Sequence, residues 1–122
     1  MLLGASDADN DYVSTQVAEP NDWWFHANGV PGSHVILRSK QDQEPSKETL
    51  RQAAAVAAYH SKARNAGTTS VHCTRARYVK KPRGVKTGTV QVAHGTKLKV
   101  RPDISFATRV QAAVELRREA KD

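Results

Sequence analysis

Asp22-Trp23-Trp24-Phe25-His26-Ala27 and, beyond Asn28-Gly29-Val30, Pro31-Gly32-Ser33-His34-Val35-Ile36-Leu37-Arg38 are the stretch whose reading decides the fold. Trp23–Ala27 is rich in aromatic residues and reads as a strand. Asn28–Gly32 is turn chemistry, with Gly free to take positive φ and Pro holding φ fixed. His34–Arg38 reads as a second strand, with Val35 and Leu37 on one face and His34, Ile36 and Arg38 on the other. Two such strands around a turn predict a hairpin, and with it a sheet.

The rest of the chain supplies partners for that hairpin. Upstream, Met1–Leu3 reads as the end of a strand, while Gly4–Asn21 is acidic and polar with no clear period beyond Tyr12-Val13. Gln41–Pro45 is a polar connection, and Ser46 is a good N-cap with Glu48 in the first turn, where the helix dipole favours an anion. Leu50, Ala53, Ala54, Ala57, Ser61 and Arg64 follow helical spacing and predict a long Ala-rich helix to about Ala66, with Gly67 as its C′ stop. Ala on the packing face lets such a helix lie close to a sheet. Lys62 and Arg64 in its last turn suit the dipole, which accounts for both without a ligand.

Val71–Val79 reads as a third strand in which Val71 and Cys73 share a parity with Arg75 and Arg77; a bulge near Thr74 would reconcile the two halves. Lys80–Gly88 is a loop. Thr89–Ala93 and Lys97–Arg101 read as a hairpin joined by His94-Gly95-Thr96. Val90, Val92, Leu98 and Val100 then point inward, and Lys97, Lys99 and Arg101 point together to the opposite face. Thr108–Lys121 reads as a helix with charges toward its end. No internal repeat is visible.

Charge is segregated along the chain. Thr49–Pro102 has no acidic residue and holds twelve of the nineteen Lys and Arg, while all twelve Asp and Glu lie outside it. The net charge of +7 is therefore a positive middle between acidic ends. Like charge repels itself, so a surface that keeps it points to a negative partner, and a nucleic-acid backbone is the commonest one. A solvated face that only keeps the protein soluble is the plain alternative.

A chain of 122 residues is one domain by size and can bury a core without staples. No apolar run approaches the roughly twenty residues a spanning helix needs. Met1–Asp7 lacks a basic n-region, so no secretory signal is expected. The single Cys73 excludes an internal disulfide, fits a reducing cytoplasm and reads as a small core residue.

Enzymatic readings are thin. Asp22, His26, Ser33 and His34 invite a triad, but there is no nucleophile elbow and Ser33 sits in a turn. His26 and His34 across the hairpin would give a metal two ligands without a third in view. All four residues can instead be structural, bonding turn backbone or a buried partner.

Phosphate binding is the stronger case. Lys80, Lys81, Arg83 and Lys86 cluster in a Gly-containing loop that lacks the Gly-Lys-Ser/Thr ending of a nucleotide P-loop. Trp23, Trp24, Phe25 and Tyr78 are candidates for stacking on bases. Trp23 and Trp24 are consecutive on a strand, so they face opposite sides; one is expected in the core and the other as a platform, with core packing of both the alternative.

These motifs, in this order, resemble the NFACT-R domain, an RNA-binding module. The resemblance rests on 22–27 and 31–38, on the Ala-rich 53–64, on Tyr78-Val79-Lys80-Lys81-Pro82 with Gly84, Gly88 and Val90, and on an upstream Gly4 with Asn10-Asp11. It spans about Leu2 to Pro102. The family usually has a basic residue and Asn after its first Gly, where this chain has Ala5-Ser6. Multidomain members bind the large ribosomal subunit with its stalled nascent chain and recruit tRNA; older usage calls the bacterial ones fibronectin-binding proteins. The neighbouring domains of those members are absent here, so a stand-alone module is expected.

The resulting expectation is an α+β domain over residues 1–105 with a helical tail over 106–122. Its mostly antiparallel, partly barrel-like sheet carries the long Ala-rich helix. The expected function is non-catalytic binding of tRNA or rRNA in the cytoplasm, in a ribosome-associated, quality-control-like role, with no cofactor, metal, membrane or small-molecule substrate. The RNA-binding residues expected are Arg75, Arg77, Lys80, Lys81, Arg83, Lys86, Lys97, Lys99 and Arg101. The family motif, Asp22, Trp24, His26, Pro31, Gly32, Ser33, His34 and Arg38, is expected as a second, shape-giving site, with Asp22 and Trp24 structural and His26 and His34 closer to function. Rival readings are a protein–protein adaptor docking through the acidic ends, and a DNA-binding or adhesion module.

Overall fold

The computed structural model describes residues 1–39, 44–104 and the backbone of 111–112. Strand β1 (Leu2–Leu3) leads to Ser6, whose Oγ accepts the Asp9 N–H at 3.2 Å and caps α1 (Asp7–Tyr12). A π-helical turn, Val13–Val17, continues it and seats a fully buried Val13. β2 (Trp23–Ala27) and β3 (Val35–Leu37) pair antiparallel, with Trp24 opposite Ile36 and Phe25 opposite Val35. Helix α2 (Lys47–Tyr59) starts at Ser46, whose Oγ accepts the Thr49 N–H at 3.1 Å. β4 (Thr69–Arg75), a 3-10 turn (Ala76–Tyr78), β5 (Val79–Lys80), β6 (Gln91–Val92), β7 (Thr96–Val100) and β8 (Gln111–Ala112) follow.

The strands form a six-stranded sheet in the order β7-β4-β2-β3-β1-β8, and β5 and β6 form a separate two-stranded ribbon. All pairings are antiparallel except β1 with β8. Each sheet face has its own core, because strand neighbours alternate sides. On one face Phe25, Val35, Val71, Cys73 and Val100 pack against the buried run Ala53–Ala58 of α2. Methyl-sized side chains let that helix lie against the sheet. On the other face Leu2, Trp24 and Ile36 pack with Val13 and Val79. Val90 and Val92, from the segment around β6, close this second core.

Several expectations are corrected. The sheet is not barrel-like: it is open, with β7 and β8 at its ends. The long helix is also absent, because α2 ends at Tyr59 after 13 residues. The physical reason lies in the motif turn. Ser33 N–H donates to the His60 carbonyl and Lys62 N–H to the Pro31 carbonyl, both at 2.9 Å, so the backbone after Tyr59 pairs with 31–33 instead of continuing the helix. Ser61 reinforces the stop, its Oγ donating to the Ala58 carbonyl at 2.7 Å and accepting the Ala63 N–H at 3.1 Å.

The expected hairpin of Thr89–Ala93 with Lys97–Arg101 does not form. β6 pairs with β5 and β7 with β4, so the two arms belong to different sheets. The strand expected over Val71–Val79 ends at Arg75 and passes into the 3-10 turn without a bulge, so Arg77 leaves the strand while Arg75 keeps the parity of Val71 and Cys73 and lies over the Trp23 ring. Within Gly4–Asn21, α1 and its π-helical turn were missed; six helical residues are too few to display a period. The helix expected over Thr108–Lys121 falls mostly outside the described residues, and the two described there, Gln111 and Ala112, form a strand.

Candidate nucleic-acid interface

The second sheet face carries a row of imidazoles. His26 on β2 lies directly opposite His72 on β4, and His72 lies opposite Lys97 on β7. His34, one residue before β3, extends the row on the other side, its ring centroid 4.9 Å from that of His26. Directly opposed residues on antiparallel strands project to the same face. The row thus reads His34, His26, His72, Lys97 across four strands, running from buried through half-buried to exposed. A parallel row places Ser70 opposite Lys99. Trp24 stands behind the histidines, with its centroid 5.9 Å from His26, 5.2 Å from His34 and 6.0 Å from His72.

Hydrogen bonds fix the inner end of this row. Ser14 Oγ accepts the indole N–H of Trp24 at 3.0 Å and lies 2.8 Å from His34 Nδ1. The Ser14 hydroxyl donates to Nδ1 or accepts from it according to the His34 tautomer, and either way it ties the imidazole to the Trp24 indole. Asn10 Oδ1 accepts the His34 N–H at 2.9 Å, and Asn10 Nδ2 donates to the Gly32 carbonyl at 3.1 Å. Burial, reinforced by the charge of His26, holds His34 far below the ordinary imidazole value of 6.5, at about 3. Burial also lowers His26, against a hydrogen bond with the Gly32 backbone. Both rings are therefore neutral near pH 7.

Much of the family motif is bracing. Asp22 is 2% exposed, and its carboxylate accepts from Arg38 Nη1 at 2.8 Å, Ser39 N at 2.8 Å and Glu19 N at 2.9 Å. No histidine reaches it, so the triad arrangement has no geometric basis. Pro31, Gly32 and Ser33 dock on the end of α2, and a Cβ on Gly32 would come within 2.6 Å of Ser61 Cβ. Trp24 is 2% exposed and Phe25 fully buried, so neither is a free platform. Trp23 packs against the α2-side core and carries the Arg75 guanidinium 3.9 Å above its ring. Tyr78 is half-buried beside His94, with centroids 4.6 Å apart. Cys73 is buried, and burial pushes its thiol up to about 11.

The cations divide into two groups. Arg75 also donates to the Asn21 carbonyl at 2.7 Å and to Glu44 at 2.6 Å, and Arg77 bonds the Asn21 side chain. Lys81 donates to the carbonyls of Lys86 and Thr89 and pairs with Asp11 at 3.3 Å, pinning the loop. In contrast, Lys80, Arg83, Lys86, Lys97, Lys99 and Arg101 are exposed and form no ion pair with a described residue. Among the described residues no group of three His, Cys, Asp or Glu is arranged to hold a metal, and no helix is long and apolar enough to cross a membrane.

Sequence reasoning missed His72 and Ser14. His72 belongs beside His26 only through the β2–β4 register, which no local pattern encodes. Asn10 was noted within a motif, but its link to His34 crosses 24 positions.

An α+β domain with an open antiparallel sheet, a motif turn docked on the end of α2, and exposed lysines beside a row of imidazoles is the class that these features define. The chain matches the family described as the NFACT protein RNA binding domain over residues 1–94, and it belongs to that family. It is 41% identical over 111 residues to the Rqc2 homolog RqcH of Bacillus subtilis, covering 91% of this chain and 19% of that protein. The Rqc2 homolog RqcH of Streptococcus suis is 37% identical over 102 residues, covering 84% of this chain and 18% of that protein. The chain thus spans about a fifth of the length of these relatives. The solved C-terminal part of the fibronectin/fibrinogen-binding protein of Streptococcus suis superposes with a TM-score of 0.75 at 36% identity, covering 83% of this chain and 40% of that one.

Proposed function

We propose that this domain binds structured RNA, tRNA or rRNA, without catalysis, as the RNA-contacting part of ribosome-associated quality control at the large ribosomal subunit. The observation that carries this reading is the group Lys80, Arg83, Lys86, Lys97 and Lys99, all exposed and in no ion pair with a described residue, with Lys97 and Lys99 side by side on β7 next to the histidine row. Unneutralised positive charge costs self-repulsion, which a phosphate backbone relieves with release of its counterions. Membership of an RNA-binding family and likeness to the RqcH proteins support the same partner. The role of each cation follows from its contacts. Lys97, Lys99, Lys80, Arg83 and Lys86 meet phosphates, while Arg75, Arg77 and Lys81 hold the surface in shape; Arg101, expected among the phosphate contacts, lines a separate cavity with Glu48, Arg51 and Gln52 of α2.

The test is the salt dependence of affinity for a folded RNA. The unmodified chain should weaken steeply as salt rises, and replacing Lys97 and Lys99 together by Ala should flatten the slope by about one and a half to two units. A flat salt response, or equal affinity for duplex DNA of the same length, contradicts the proposal.

A further inference from the structure

The histidine row opens into a cavity of about 380 Å³ whose lining includes His26, His72, Asn28, Thr89 and Val90, with Trp24 and His34 also bordering it. The sheet supplies its floor and the segment from Gly88 to Val92 its wall. From these features we infer that it is a pocket for one unstacked RNA base, held against the rings of His26 and His72 while the adjoining phosphates lie on Lys97 and Lys99. This deepens the RNA-binding reading above and rests on it.

Size comes first. The volume suits a nucleobase with part of its ribose and falls at the small end of ligand cavities. Surface chemistry comes second. A base has two apolar faces and a polar edge, and aromatic or imidazole rings beside an apolar wall match the faces. His26 and His72 are half-buried, so part of each ring borders open space, whereas Trp24 and His34 behind them are buried and fixed by Ser14. The depressed His26 titration keeps a neutral ring in this floor at physiological pH. The exposed Asn28 and Thr89 at the rim offer an amide and a hydroxyl to a base edge.

Charge complementarity selects the occupant. Lys97 stands directly opposite His72 and Lys99 opposite Ser70, so cations line the open side of the floor in adjacent rows. The other wall begins at Gly88, whose N–H donates to Asp11 Oδ2 at 3.1 Å, so the cations lie on the Lys97 and Lys99 side. A free apolar metabolite has no use for cations beside it, whereas a strand that inserts one base carries phosphates next to that base. Gly95 fits the same picture, because a Cβ there would come within 2.7 Å of His72 Nε2 and crowd the ring.

The experiment uses the whole chain with an eight-nucleotide oligoadenylate and with a ribose-phosphate strand of equal length lacking bases. Oligoadenylate should bind roughly tenfold or more tighter than the abasic strand. It should also shift the Cε1–H resonances of His26 and His72, which the abasic strand leaves in place. His72→Ala should abolish the preference, and His72→Phe, which keeps a ring, should retain it. If His72→Ala fails to fold, the resonance shifts in the unmodified chain decide. Equal binding of both strands with unmoved His26 and His72 signals overturns the pocket and leaves the RNA-binding reading standing. Failure of either strand and of folded RNA to bind overturns both.

Discussion

Lowering the pH from about 7.5 to about 5 protonates His34 in the unfolded chain and leaves it neutral in the folded one. Burial first, then the charge of His26, brings the folded imidazole from 6.5 to about 3. The unfolded chain therefore binds more protons across this window, and its extra protonation favours unfolding. The stability that His34 contributes is complete above about 6.5 and is lost as the pH falls toward about 3. One proton is worth about 1.4 kcal/mol per pH unit, so roughly 2 kcal/mol is gone by pH 5. That figure scarcely depends on where the folded value lies, provided it stays below about 4. His26 is shifted the same way and adds to the loss. Urea denaturation at both pH values, on the natural chain and on His34→Asn, isolates the effect. Asn places an amide near the Nδ1 position and cannot titrate, so the variant should be less stable at neutral pH but lose about 2 kcal/mol less on acidification. In the folded protein the His34 Cε1–H resonance should stay unmoved down to about pH 4. A midpoint near 6.5 for that resonance, or equal acid sensitivity of the two chains, refutes the reasoning.

Asp22→Ala strands the N–H groups of Glu19 and Ser39, and thermal melts should show a loss of about 1–3 kcal/mol with RNA affinity per folded molecule unchanged. Gly32→Ala drives a methyl to 2.6 Å from Ser61 Cβ and should cost about 1–3 kcal/mol in chemical denaturation, with Gly29→Ala affected only through its positive φ. Lys81→Ala releases the carbonyls of Lys86 and Thr89, so amide exchange over 82–90 should accelerate while exchange in β2 and β4 stays slow.

What the sequence disclosed followed distance along the chain. The Trp23–Ala27 and Val35–Leu37 strands were legible because alternation and a Gly-containing turn are local signals. The Ser46 cap was legible for the same reason, but the end of α2 was not. Ser61 and Lys62 continue the helical pattern, and only their pairing with Pro31–Ser33 takes the backbone away. Similarly, Val90 and Val92 alternate as a strand should, yet alternation cannot name a partner, and β5 won over β7. For the site, the basic middle was visible as composition, but the division between bracing Arg75, Arg77 and Lys81 and the exposed remainder depends on Asn21, Glu44 and Asp11, which lie far off in sequence. His72 joined the row through register alone.

Photo-crosslinking of the chain to a 4-thiouridine-substituted RNA, with the adducts located by mass spectrometry, tests the central claim most directly. Adducts should fall on the second face, on peptides carrying His26, His72, the loop from Lys80 to Val90, and Lys97 with Lys99. The exposed residues Lys47, Glu48 and Arg51 of α2 should remain free of adducts. Adducts concentrated on α2, with none on 72–99, would contradict the account.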